Sequence, residues 1–114
     1  MKVIDLRADY EVGDDDVELT ITIGDGQIGT SVVKLGTKEL GRGAISDLPI
    51  GAGPSIKTKS LTTKSIVTDV NDRTNKTSVT YVLTGGVRDQ TFQSLGTVDQ
   101  NGDVIICRAA FKLV

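Results

Sequence analysis

The sequence predicts an all-β domain, a single antiparallel β-sandwich of about eight strands spanning residues 1–114, and three observations carry that expectation. First, apolar residues take every second position over residues 104–114, where Ile105, Cys107, Ala109, Phe111 and Leu113 are interleaved with Arg108 and Lys112. Successive side chains of an extended chain point to opposite faces, so this run has one face for a core and one for solvent. Second, the same period appears twice near the amino terminus. Ile4, Leu6, Ala8 and Tyr10 are set against Asp5, Arg7 and Asp9, and Val17, Leu19, Ile21 and Ile23 against Glu18, Thr20 and Thr22. Third, explicit turn chemistry separates such runs, and no stretch has a helical apolar period.

Taken in order, the expected strands cover residues 3–10, 17–23, 27–35, 55–61, 65–70, 78–84, 90–97 and 104–113. The first two and the last rest on strict alternation. The others rest on their content of Thr, Val and Ile, whose branched side chains suit a pleated surface. Gly24-Asp25-Gly26 ends the second strand with residues that tolerate positive φ. Asn71-Asp72-Arg73-Thr74-Asn75 reads as a longer hairpin loop, and Gly85-Gly86 divides two further strands. Asn101-Gly102, between Gln100 and Asp103, is the pair favoured in a two-residue type I′ hairpin. The inward set is expected to be Ile4, Leu6, Val17, Leu19, Ile21, Ile23, Ile105, Cys107 and Phe111. Jelly-roll or immunoglobulin-like connections are the first expectation, and a small closed barrel is the alternative. The immunoglobulin Cys and Trp signature is missing, since the chain has one cysteine and no tryptophan.

Residues 41–54 read as one long connection in which Gly41, Gly43, Gly51 and Gly53 are mixed with Ile45, Leu48 and Ile50. Long loops in small domains carry function or pack their own apolar residues as compact Ω-loops. Arg42, Ile45, Leu48 and Ile50 are therefore the candidate protein-contact residues, with capping of one end of the sandwich as the competing role. A short helical turn near Ile45 and Leu48, capped by Ser46 or Asp47, is a weaker reading of the same stretch.

Composition narrows the function classes. Hydrophobic content of 38% and charged content of 25% suit a globular domain whose 114 residues can close a core without staples. A formal net charge of −2 disfavours non-specific nucleic-acid binding by the whole chain. Cys107 has no partner for an internal disulfide, and its place on an apolar face marks a buried, inert thiol. With no histidine, Ser-His-Asp triads and the commoner zinc sites are excluded. No residue is a candidate for catalysis, and no cofactor or metal is expected. The opening residues alternate and lack the unbroken apolar core of a secretory leader, and no apolar run approaches a membrane span. The expected location is cytoplasmic, with neither membrane nor nucleic acid as partner.

Several motifs come close to a known chemistry and fail. Gly51-Ala52-Gly53-Pro54-Ser55-Ile56-Lys57-Thr58 approaches the phosphate-binding P-loop, but Ile56 stands where the second glycine must let the backbone wrap the anion. Asp14, Asp15 and Asp16 read as a solvated hairpin loop, and Asp99, Asn101 and Asp103 as a tight turn. A calcium site would need both clusters at one end of the sandwich. Sugar-binding faces usually stack aromatic rings, and Tyr10, Tyr81, Phe92 and Phe111 are the whole supply, with Tyr10 and Phe111 on core faces.

Charge is the most informative non-local feature. Residues 1–25 hold eight acids and two bases, residues 26–65 two acids and six bases, and the remainder five of each. Cross-strand pairing within one molecule accounts for this, and so does head-to-tail or ring-like association of copies. Lys57, Lys59 and Lys64 have the look of edge-strand protection. The functional expectation is a non-enzymatic protein-interaction or self-associating assembly module, for example a small subunit of a homo-oligomeric or phage-like particle. The alternative is a ligand-binding sandwich using calcium or carbohydrate.

Overall fold

Alternating runs become nine strands in two facing sheets. A computed structural model describes residues 2–114. Their order is β1 (Lys2–Tyr10), β2 (Asp16–Ile23), β3 (Ile28–Leu35), β4 (Lys38–Gly43), β5 (Ile45–Ala52), a helical turn α1 (Gly53–Ile56), β6 (Ser60–Thr68), β7 (Lys76–Thr84), β8 (Gln90–Thr97) and β9 (Val104–Leu113). One sheet has the order β1-β9-β6-β3-β4 and the other β5-β2-β7-β8. Both sheets keep open edges, so the fold is an all-β sandwich and no barrel closes.

Every pairing is antiparallel except that of β1 with β9, which is parallel from Lys2↔Ile105 to Tyr10↔Leu113. Parallel neighbours need a crossover between them, and here the whole intervening chain supplies it. Only β3–β4 and β7–β8 are hairpins, because every other pair of consecutive strands lies in different sheets. Asn71 to Asn75 and Asn101-Gly102 are therefore crossings between sheets, not the expected hairpin turns, and Gly24-Asp25-Gly26 ends β2 in another such crossing. The tight two-residue hairpin is Gly36-Thr37, where Leu35 faces Lys38 and Gly36 takes φ +59°, open to glycine without strain.

The stretch expected to be a loop over residues 41–54 is strand over most of its length. It completes β4, turns at Gly43 and Ala44, and forms β5 antiparallel to β2. Its period is hidden by a bulge: Leu19 faces Leu48 but Ile21 faces Ile45, so β5 carries one extra residue there. Asp47 takes φ +49° in that bulge, and its N–H donates to Thr20 Oγ1 at 2.9 Å. Pro49 is tolerated because β5 is an edge strand. Two further expectations are corrected. Residues 55–61 and 65–70 do not form two strands, since Ser55 and Ile56 belong to α1 and a single strand runs from Ser60 to Thr68. The helical turn lies there too, with Pro54 in its first turn, and not near Ile45.

The core lies between the sheets. Val17, Leu19, Val79, Tyr81 and Leu83 from the four-stranded sheet meet Val33, Leu61, Val67, Ile105, Phe111 and Leu113 from the other, all fully buried. Phe111 is the central contact, with its ring centroid 5.7 Å from Tyr81 edge-on and 5.1 Å from Phe92. Of the expected inward set, Val17, Leu19, Ile21, Ile105, Cys107 and Phe111 are buried, whereas Ile4, Leu6 and Ile23 are half-buried at the margin. Gln27, also buried, ties the crossing from β6 to β7: its Oε1 accepts from the N–H groups of Val70 and Asn71, and its Nε2 donates to the carbonyls of Thr74 and Lys76.

Candidate functional site: a basic face on the five-stranded sheet

Strand register, read across the five-stranded sheet, builds a charged surface. One row runs Arg7, Ala110, Thr62, Lys34, Glu39, and the adjacent row Asp5, Arg108, Lys64, Val32, Arg42. All ten lie on the solvent side, because their sequence neighbours on β1, β9, β6 and β3 are the ones that alternate into the core. Short side chains at Ala110, Thr62 and Val32 make a low floor, while long Arg and Lys side chains stand around it. The result is an open depression of about 760 Å³.

Its electrostatics are one-sided. Among the described residues two ion pairs form, and both belong to this face. Arg108 binds Asp5 through two bonds, Nε to Oδ1 at 2.7 Å and Nη2 to Oδ2 at 2.9 Å. Arg42 Nη2 donates to Glu39 Oε1 at 2.6 Å. Each guanidinium holds its carboxylate partner below the usual carboxylate range. Arg7, Lys34 and Lys64 have no ion-pair partner among the described residues. Lys64 moreover sits directly across from Arg108, and like charges in that position oppose strand pairing. A third row continues the face with Val3, Ile106 and Ile66, and Ile28 lies close by on β3. Val3, Ile66 and Ile28 are exposed at 47%, 40% and 60%, so an apolar strip borders the cations.

The residues expected to form a contact loop are dispersed by the fold. Arg42 is exposed on the rim of the depression. Ile45 and Ile50 are buried in the core and Leu48 is half-buried against it, so none of the three large apolar residues expected to make contacts is exposed. Arg7, Lys34, Lys64 and Arg108 did not stand out as a set. Each fills the polar place in an alternating run, and the signal that unites them is a register that pairs β1 with β9 and β9 with β6. Lys64 is also not on an edge, since β6 is the middle strand.

Acidic clusters do not converge. Asp14 and Asp15 lie beyond Tyr10 in the crossing from β1 to β2, and Asp99, Asn101 and Asp103 lie in the turn leading into β9. Tyr10 pairs with Leu113 and Lys2 with Ile105, so the two clusters occupy opposite ends of the sandwich. The shared calcium site is thereby ruled out as a single arrangement, and Asp14 to Asp16 are not in a hairpin. Among the described residues no three carboxylates or thiols gather as a metal-binding group. The P-loop-like stretch folds as the end of β5 and α1, with Ile56 buried.

Several polar side chains lie inside the core. Ser31 and Ser65 share a hydrogen bond of 2.7 Å. Tyr81 has its pKa raised by burial, partly offset by the nearby hydroxyls of Ser94, Thr63 and Ser65, yet none stands in good hydrogen-bonding geometry to it. Burial pushes the Cys107 thiol up to about 11, which favours its protonated form. Asp69, at 1% exposure, has both carboxylate oxygens without a protein partner.

No family model matches the chain, and neither a curated protein nor a solved structure matches it. No described helix is long and apolar enough to cross a membrane.

Proposed function

We propose that this protein is a non-catalytic interaction module that docks an acidic protein surface on the outer face of its five-stranded sheet. The observation that supports this reading is Lys64, which faces Arg108 across the strands and has no carboxylate of its own. An arrangement that works against pairing in the free protein is relieved when a partner brings carboxylates to it. The bordering strip of Val3, Ile28 and Ile66 adds the apolar area that protein interfaces combine with arginine. Nucleic acid fits less well, because no aromatic side chain lies on this face for base stacking and three unpaired cations give a short electrostatic footprint.

A fluorescent peptide of alternating Glu and Leu provides the test. The wild type should bind it saturably at low salt, lose most affinity at high salt, and lose it at any salt in a Lys34→Glu, Lys64→Glu variant. Failure of the wild type to bind, or tighter binding of an oligo-dT strand than of the peptide, overturns the reading.

A further inference from the structure

We infer that the occupant of this basic face is the acidic crossing between β1 and β2 of a second copy of the chain, so that copies associate head to tail. The inference rests on the proposed docking role of the face and names its partner. Asp14, Asp15 and Asp16 are exposed and consecutive, and none takes part in an ion pair among the described residues. Three carboxylates without partners thus stand at one end of the molecule, and three cations without partners, Arg7, Lys34 and Lys64, on one face of it.

No ion pair joins the crossing to this face within one chain. The crossing leaves β1 at Tyr10 and turns away toward the four-stranded sheet, where Asp16 opens β2 opposite Ala52 of β5. It is also anchored at both ends, since Gly53 N–H, just after β5, donates to the Asp15 carbonyl at 2.9 Å and Val12 N–H donates to the carbonyl of Val114, just after β9, at 2.9 Å. A crossing held in place at its backbone presents its carboxylates with little loss of chain entropy on binding. The donor surface and the acceptor surface are different parts of the same molecule. A contact made once per pair of copies is heterologous, and its repetition gives a ring or a filament. Charge attraction across such a contact is steered by long-range fields and weakened by salt.

Sedimentation of the purified protein tests this through a charge swap. At low salt the wild type should sediment as species larger than the monomer and revert toward monomer at high salt. Two variants, Lys34→Glu with Lys64→Glu and Asp14→Lys with Asp15→Lys, should each be monomeric alone at low salt. Mixed in equal amounts they should associate, because each then offers the surface the other lacks. A neutral variant, Asp14→Asn with Asp15→Asn, should weaken association at least tenfold while keeping the wild-type melting temperature, which guards against a folding artefact in the reversed pair. A wild type that is monomeric at low salt and high concentration overturns the inference, as does association unaffected by the changes at Asp14 and Asp15. If that monomer still binds the acidic peptide on the Lys34 and Lys64 face, the docking role stands and the partner is a different acidic protein. If it binds neither, both readings fall.

Discussion

The two outer faces of this sandwich share a backbone geometry and differ in nearly everything else. On the four-stranded sheet, Thr20, Val82 and Thr91 form one cross-strand row and Thr22, Thr80 and Gln93 the next, with Leu95 further along β8. These are uncharged residues that form strands well, and the acids of this face, Glu18 and Asp47, lie toward the β2–β5 edge. Across the core, the corresponding rows carry Arg7, Lys34, Arg42, Lys64 and Arg108 against Asp5 and Glu39. Stability alone would be met by a threonine surface on both sides. The face that gathers cations, and sets Lys64 opposite Arg108, is the one where a role beyond folding is to be sought.

The largest expected effect lies in the layer that both faces share. Phe111 packs on Tyr81 and Phe92 from the opposite sheet, so Phe111→Ala should cost about 3 to 5 kcal/mol in chemical denaturation. A loss below about 1 kcal/mol would mean that the two sheets are not joined through this side chain, and would undo the comparison of two faces on one core.

Next in size is an alkaline weakness of that same layer. Burial raises the Cys107 thiol to about 11, well above its ordinary value, and raises Tyr81 as well. For groups whose folded pKa lies above the unfolded one, the folded state holds the proton longer. Their stability contribution is complete below the unfolded pKa and disappears as pH climbs through the folded one. Melting followed from pH 8 to pH 11 should show a loss on the order of 2 kcal/mol from the thiol. Cys107 should resist thiol reagents at pH 8 until the protein unfolds. Native labelling at the rate of a free thiol would place it on an outer face instead.

The smallest effect separates the faces most sharply. Lys64→Glu places a carboxylate across from Arg108 and should raise stability by roughly 0.2 to 1 kcal/mol while abolishing binding of the acidic peptide. The matched change on the other face, Thr22→Glu, should stay within about 0.5 kcal/mol of the wild type and leave binding intact. Equal behaviour of the two variants in both assays would remove the functional distinction between the faces.

Legibility followed the kind of information each element needs. β1, β2 and β9 could be read directly because strict alternation is local and uninterrupted. β5 could not, because its bulge at Asp47 breaks the period and its glycines and Pro49 mimic a loop. β6 reads in the sequence as two strands because Thr63 and Ser65 take inward positions as polar residues, and buried hydroxyls are invisible to a pattern of apolar residues. The turn residues announced where the chain bends. They did not say whether it returns to its own sheet or crosses to the other, which is why Asn101-Gly102 suggested a hairpin and proved to be a crossing.

Composition and period alone were enough to establish the all-β sandwich, the burial of Cys107 and Phe111, and the uneven spread of charge along the chain. These follow from the two-residue repeat of an extended backbone and from the cost of exposing apolar surface, both local matters. The basic face came into being only on folding. Arg7, Lys34, Lys64 and Arg108 lie on four strands scattered across the sequence, and what gathers them is the parallel pairing of β1 with β9 and the central place of β6. Strand order and register arise from how two sheets close over one core, a global packing condition that no single stretch of residues encodes.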